Sequence, residues 1–329
     1  MRVGITGANG FIGNHLTRHV ISLGHEVVAF LLRGTSVSLL ENLPRQVFWG
    51  DVLDIESLYP FLKNCDVLFN LAGFNRYWSK NPIVFHNLNV IGPTNIATAC
   101  LATGIGKIVH VSSCITLGAS EQPILRNEKS EFNLSGKQFL YAETKKAGED
   151  EMKYWAREKG LPVVIVNPAS AIGEMDYGPT PIGEPIIDIC KGRWPFWVEG
   201  GACFVDVHDL VKGLWLALNK GREGEQYLLA GENLTNKEFM SRIAKIIGAK
   251  QPKVRIPKLL LNFVAHWQEG LANHLTHRAP KLTVGMKELI GKYLYYENSK
   301  AKNELGYNPV PCDEAIERSI HWFKNNGYF

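Results

Sequence analysis

The chain of 329 residues is 45% hydrophobic and 21% charged, an ordinary balance for a folded globular protein and unlike that of a disordered or collagen-like chain. Its net charge of +4 is spread without a basic run, which leaves no stripe for nucleic-acid phosphates. No apolar run is long enough to span a membrane, and Met1-Arg2 passes directly into a glycine-rich segment where a secretory signal needs its apolar core, so a cytoplasmic protein is expected.

Short β-branched apolar runs at 2–6, 26–32, 46–49, 67–70, 107–111 and 163–166 predict strands, and segments of helical period at 11–23, 82–103 and 141–158 predict helices between them. This alternation specifies an α/β fold with a doubly wound parallel sheet of Rossmann type, whose binding crevice lies beyond the C-terminal ends of the strands. Residues 1–170 are expected to form that domain. Residues 171–329 are expected to form mainly a smaller α/β substrate cap, with segments returning to the sheet. In that half Pro168, Pro179, Pro181, Pro185 and Pro195 interrupt the chain. A strand at 226–229 and a helix opened by the capping box Thr235-Asn236-Lys237-Glu238 follow. The stretch 257–275 reads as an amphipathic helix, and packing over a substrate cleft is favoured over a membrane-surface role because its polar face is not rich in Lys or Arg. The six cysteines form no CxxC pair and are read as reduced. His274 and His277 have the spacing of two ligands on one helical face but no further ligand nearby, so no metal site is expected.

Thr6-Gly7-Ala8-Asn9-Gly10-Phe11-Ile12-Gly13 closes the first strand and opens a helix. Gly7 makes the tight turn, Gly10 admits a pyrophosphate to the helix N-terminus, and Gly13 lets helix and strand pack closely, which points to a dinucleotide. The second strand ends in Arg33 and not in an acid, and a guanidinium suits a 2′-phosphate, so NADP(H) is favoured over NAD(H). Asp51, with Val52 beside it, follows the third strand, where the carboxylate could meet an adenine amino group or serve as a turn or helix cap.

Tyr141 and Lys145 are four residues apart, hence on one helical face, where a cation favours the phenolate and makes the pair a plausible proton donor and acceptor. Ser113 follows the fifth strand at its crevice end and can hold a substrate oxygen against the phenol.

Together with Asn70-Leu71-Ala72-Gly73 and Asn89-Val90-Ile91-Gly92, these motifs resemble the extended short-chain dehydrogenase/reductase superfamily, also called the NAD-dependent epimerase/dehydratase family. Within it the chain is similar to dihydroflavonol 4-reductase-like proteins. Its segments 161–168, 179–183, 231–235 and 325–328 are similar to the hopanoid-associated sugar epimerase group. The resemblance implies that Tyr141 is the catalytic acid and base, that Lys145 lowers its pKa and binds the nicotinamide ribose, that Ser113 orients the substrate, and that Asn89 supports Lys145 through a water. It also implies cofactor contacts from Leu71, Ala72, Gly73, Asn167 and Pro168, and a homodimer.

A sugar 4,6-dehydratase of this family carries Asp-Glu directly after the serine, and here Cys114-Ile115 stand instead. A nucleotide-sugar epimerase holding NAD needs cations for a diphosphate, and Arg193, Arg222 and Arg255 are the candidates. The crevice candidates are otherwise apolar or aromatic: Phe74, Tyr77 and Trp78 after the fourth strand, Ile115, and Trp194, Phe196, Trp197 and Phe204 in the cap. With Arg33 they favour NADPH-dependent reduction of a ketone or aldehyde, the epimerase remaining the alternative.

Overall fold

The computed structural model describes residues 1–329 apart from Pro44, Lys137 and Pro195, so Pro195, expected to break the cap segment, lies outside the described residues. Six strands come from the first half: β1 (Arg2–Thr6), β2 (Glu26–Leu31), β3 (Arg45–Trp49), β4 (Val67–Asn70), β5 (Ile108–Val111) and β6 (Val163–Pro168). The second half supplies β7 (Ser170–Ile172), β8 (Phe196–Trp197), β9 (Gly201–Asp206), β10 (Gln226–Leu229), β11 (Glu232–Thr235), β12 (Val254–Arg255) and β13 (Tyr293–Leu294). The main sheet runs β10-β6-β5-β4-β1-β2-β3, and every pairing in it is parallel. The order reverses between β4 and β1, which is where such a sheet opens its crevice.

Helices cover both faces. Residues of alternate parity along β2 go to opposite layers: Val27, Ala29 and Leu31 pack with Leu16 of α1 (Phe11–Ser22), while Val28 and Phe30 pack with Leu58 and Phe61 of α2 (Ile55–Leu62). Because both faces are buried, these strands read as continuous apolar runs rather than as alternations. The segment expected as one helix at 82–103 is divided: α3 (Ile83–His86), a π turn (Asn87–Ile91), then α4 (Gly92–Thr103). Next to it runs α5 (Leu140–Lys159). A side chain at Gly148 would collide with the Asn89 carbonyl, so this glycine lets α5 press against the π turn.

The cap contains α6 (Gly183–Cys190), and β9 is paired with β11, β13 and β7. After β9, α7 (Val207–Lys220) and β10 rejoin the main sheet, with Leu210 and Leu214 in its core. Thr235 and Glu238 make the expected capping box at the start of α8 (Asn236–Ile246). The next helix, α9 (Lys258–Leu271), corrects the reading of 257–275: Ala265 is its one buried residue, and Leu259, Phe263 and Trp267 face solvent at 83%, 71% and 60% exposure. His277 lies beyond the helical turns with φ of +52°, so it shares no helical face with His274. Finally α10 (Ser299–Leu305) and α11 (Asp313–Asn325) close the chain. No helix among the described residues is long and apolar enough to cross a membrane.

Candidate active site

Gly7 follows β1 with φ of +66°, a conformation glycine adopts without cost. A side chain there would lie 3.3 Å from the backbone of Leu71 and Ala72, and one at Gly13 would collide with the Gly7 carbonyl oxygen. Between them Gly10 caps α1, whose first-turn amides, those of Phe11, Ile12 and Gly13, have no partner within the helix. The Thr6 hydroxyl ties this turn to the end of β4: it donates to Asn70 Oδ1 at 2.8 Å and accepts from the Leu71 and Ala72 amides at 3.1 and 3.0 Å. A cavity of about 230 Å³ opens over the turn, walled by Asn9, Gly10, Phe11, Met175 and Tyr177 among others. A cradle that any Cβ would fill, beneath the N-terminal amides of a helix, fits a dinucleotide pyrophosphate.

Arg33 is exposed just past β2, which lies beside β1 with Phe30 opposite Thr6. The Asn9 amide donates to Thr35 Oγ1 at 2.9 Å and to the Ser36 carbonyl at 3.0 Å, holding the loop that carries Arg33 against the glycine turn. Asp51 Oδ1 accepts the Leu53 amide at 2.9 Å, which is the turn role. Val52 is buried and would touch any side chain at Gly92. Gly73 sits where a Cβ would come 3.1 Å from Asn89 Oδ1 and 3.9 Å from Lys145 Nζ, so the end of β4 reaches the reacting groups.

Those groups meet. The Tyr141 hydroxyl donates to Ser113 Oγ at 3.2 Å, and Lys145 Nζ donates to the Val111 carbonyl at 3.0 Å. Burial pushes the Tyr141 phenol up to about 12, against the Ser113 hydrogen bond. Burial also brings the Lys145 ammonium down to about 8, against the charge of Glu149. In the protein alone, therefore, desolvation outweighs the depression expected from a cation near Tyr141, and the phenol is protonated at neutral pH, the state a general acid needs. Asn89 does not bond Lys145 directly: it donates to the Phe74 carbonyl and to Thr144 Oγ1, both at 3.1 Å, and accepts the Phe74 amide at 2.8 Å. It fixes the backbone beyond β4 against α5.

Glu149 escaped the sequence reading, although its spacing continues Tyr141 and Lys145 by one more turn on the same face. It is 1% exposed and accepts from Lys153 Nζ, Ser112 Oγ and Thr116 Oγ1, each at 2.7 Å, from Asn167 Nδ2 at 2.6 Å and from Gln226 Nε2 at 3.1 Å. This network corrects the role given to Asn167. Its amide also donates to the Ser113 carbonyl at 2.9 Å and its oxygen accepts from Gln226, because a fully buried amide must find partners inside the protein. Its side chain thus secures the Ser113 loop and leaves no polar atom for a cofactor, and Pro168 is buried in β6 beside Leu229.

The aromatic candidates separate. Tyr77 packs its ring 5.2 Å from those of Tyr141 and Phe139, in a cluster with Ile115, Leu289 and Leu294. Trp78 donates its indole N–H to Asn273 just beyond α9 at 3.0 Å. Phe74 packs edge-on against the buried Phe85, a core contact. Arg193 and Trp197 are not brought to the site: Arg193 pairs with Asp188 at 3.0 Å, and Trp197 lies beneath the Lys237 and Arg255 cations. Of the cap aromatics expected beside them, Trp194 and Phe204 do line the apolar space of the cap, a cavity of about 240 Å³ walled also by Phe239, Met240, Leu289 and Leu294. The last two leucines join it to the Tyr141 cluster. Apart from this site, the cluster His15, Glu174 and His208 also went unnoticed. Glu174 there is paired with His208 at 2.7 Å and Arg318 at 3.1 Å, a charge latch among α1, α7 and α11.

The model of the NAD dependent epimerase/dehydratase family matches residues 3–230. A protein of Synechocystis sp. named as dihydroflavonol 4-reductase-like is 30% identical, over 98% of this chain and 95% of its own. Sterol demethylase protein B of Methylococcus capsulatus is 28% identical over 98% of both. The crystal structure of a nucleoside-diphosphate-sugar epimerase from Pseudomonas aeruginosa superposes with a TM-score of 0.83 at 26% identity, covering 100% of this chain and 99% of the other. With its parallel sheet, its glycine cradle and its Ser113, Tyr141 and Lys145 gathered at the end of β5, the chain belongs to the NAD-dependent epimerase/dehydratase family, the extended short-chain dehydrogenases/reductases, and is an NAD(P)-dependent enzyme.

Proposed function

We propose that the protein is an NADP(H)-dependent reductase that converts a ketone or aldehyde on an apolar body to the alcohol. The bound dinucleotide supplies the hydride. Tyr141 donates its proton to the substrate oxygen, Ser113 Oγ holds that oxygen beside the phenol, and Lys145 stabilises the phenolate left by the transfer. Gly7, Gly10 and Gly13 seat the pyrophosphate, and Arg33 takes the 2′-phosphate. The observation that carries the reading is the apolar cap cavity, whose walls Leu289 and Leu294 are shared with the Tyr141 cluster. Its lining includes one cation among the described residues, Lys292, which suits an apolar substrate better than a diphosphate. The enzyme is proposed to act in the cytoplasm as a homodimer, the family's usual state.

The test is NADPH oxidation by the purified protein over a panel of apolar ketones, with Tyr141→Phe beside the parent. The variant should lose at least about a hundredfold in kcat while NADPH affinity by fluorescence titration stays the same. Saturable binding of a uridine diphosphate sugar, with no ketone reduced, would overturn the assignment in favour of epimerisation.

A further inference from the structure

The outward face of α9 has no counterpart in the chemistry above. Leu259, Phe263 and Trp267 succeed one another at four-residue steps, and Leu260 lies seven residues before Trp267, so all four fall within one stripe about 100° wide. They are 83%, 71%, 60% and 54% exposed, and Leu275, just past the helix, is 72% exposed. A monomeric surface seldom shows so large an apolar group without a use for it. Cations flank the stripe: Lys287 Nζ lies 3.4 Å from Nε2 of the exposed His266 at its edge, and Lys253 and Arg278 stand in the chain before and after the helix. From 250 to 292 the chain has eight Lys and Arg against Glu269 and Glu288, a net +6, whereas the whole chain carries +4. The rest of the molecule is therefore slightly acidic. Arg255 and Lys281 are paired with Glu199 and Asp188, but Lys253, Lys258 and Arg278 are exposed and enter no ion pair among the described residues.

We propose that α9 is an interfacial helix that docks the protein on an anionic phospholipid surface, with Leu259, Phe263 and Trp267 entering the headgroup boundary and Lys253, Lys287 and Arg278 meeting lipid phosphates. Apolar aliphatic and aromatic groups with cations beside them are the chemistry such a surface selects. A second copy of the chain fits less well, since a two-fold contact would set the same cations against each other. The helix is also joined to the apolar cap cavity. Gln268 Oε1 accepts the Leu282 amide at 3.1 Å, Glu269 accepts the Val284 amide, and Leu282, Met286 and Ile290 line the cavity. These bonds leave the helix on the side opposite the stripe, so a docked helix holds the cavity wall behind it, about one helix diameter from the lipid. Docking itself requires neither substrate nor turnover, so its test is separate from that of the reductase.

The full-length protein is centrifuged with vesicles of phosphatidylcholine alone and of phosphatidylcholine mixed with phosphatidylglycerol. Cosedimentation is expected with the mixed vesicles at low salt, weakened by added salt and by omission of the anionic lipid. Lys287→Gln should weaken the partition about fivefold, and Phe263→Ser with Trp267→Ser at least about tenfold. Phe263 and Trp267 are exposed, and an unchanged circular dichroism spectrum with unchanged NADPH affinity verifies the fold. Absence of binding by the parent overturns the proposal, as does equal binding by the double variant. It is likewise overturned if light scattering finds a dimer that the double variant splits, with no vesicle binding by either protein.

Discussion

Glu149→Gln replaces a carboxylate that five donors surround by an amide that must itself direct an N–H into them. Burial alone would raise the Glu149 carboxyl, but the Lys153 charge and the hydrogen bonds from Lys153, Ser112 and Thr116 outweigh it and hold the group below the usual carboxylate range. The side chain is 1% exposed and Lys153 is 23% exposed, so removing the carboxylate strands a partly buried ammonium and at least one donor. Breaking such a pair costs about 3 kcal/mol, the low end for buried ion pairs because Lys153 retains some water. For a chain of this length that corresponds to a fall in Tm of roughly 4 °C by calorimetry at pH 7. The pH dependence follows from the sign of the shift. A depressed carboxyl contributes stability that is present above its unfolded pKa and lost as pH falls through the lower folded one, so parent and variant should converge toward acid. Activity gives a second reading. Glu149 raises the Lys145 ammonium against burial, which has brought it to about 8, and without Glu149 the ammonium drops further. The alkaline limb of kcat/KM should therefore begin at lower pH in the variant. A Tm within about 1 °C of the parent, with the alkaline limb unmoved, would refute this account of the network.

Three further outcomes are expected. Arg33→Asp should invert the preference for NADPH over NADH in fluorescence titration, since it removes a charge-assisted bond and adds repulsion to the 2′-phosphate; equal affinities in the parent would count against the assignment. Gly13→Ala should abolish measurable cofactor binding and lower the Tm, because its methyl meets the Gly7 carbonyl and overpacking of this kind costs about 1–3 kcal/mol. Trp194→Ala should raise KM for an apolar ketone roughly tenfold while Trp197→Ala leaves it nearly unchanged, since Trp194 lines the cap cavity and Trp197 lies under two cations outside it; steady-state kinetics on both variants decides this.

The sheet was legible because its strands are buried on both faces and read as apolar runs bounded by turns, and because the glycine turn imposes backbone geometry that few other residues tolerate. The cap was not. The strands β8, β12 and β13 have two residues each, too few for any periodicity, and they exist through their partners. The π turn that holds Asn89 breaks no hydrophobic pattern, so 82–103 still reads as one helix. Ser113, Tyr141 and Lys145 stood out through spacing and position after a strand. Glu149 obeyed the same four-residue spacing, yet a glutamate in a charged helix reads as solvated until the opposite strands supply Ser112, Asn167 and Gln226. Asn167 was misassigned for the complementary reason: a motif gives a residue's place, while the partners its amide must satisfy are set by the surrounding fold.

The outward turn of α9 follows from the same limitation of reading one segment by itself. Counted within the helix, its polar face is poor in Lys and Arg, and an apolar stripe with such a face belongs over a cleft. The fold brings a cation to the stripe from outside the helix, Lys287 at 3.4 Å from His266, and the chain places Lys253 before the helix and Arg278 after it. At the same time it needs the inner face for Ala265 and for the Gln268 and Glu269 bonds to the cavity wall. One helix cannot turn its leucines both to the cleft and to those contacts. The inner face carries the structural bonds, so Leu259, Phe263 and Trp267 are left outside, and their exposure is a consequence of how the cavity is walled.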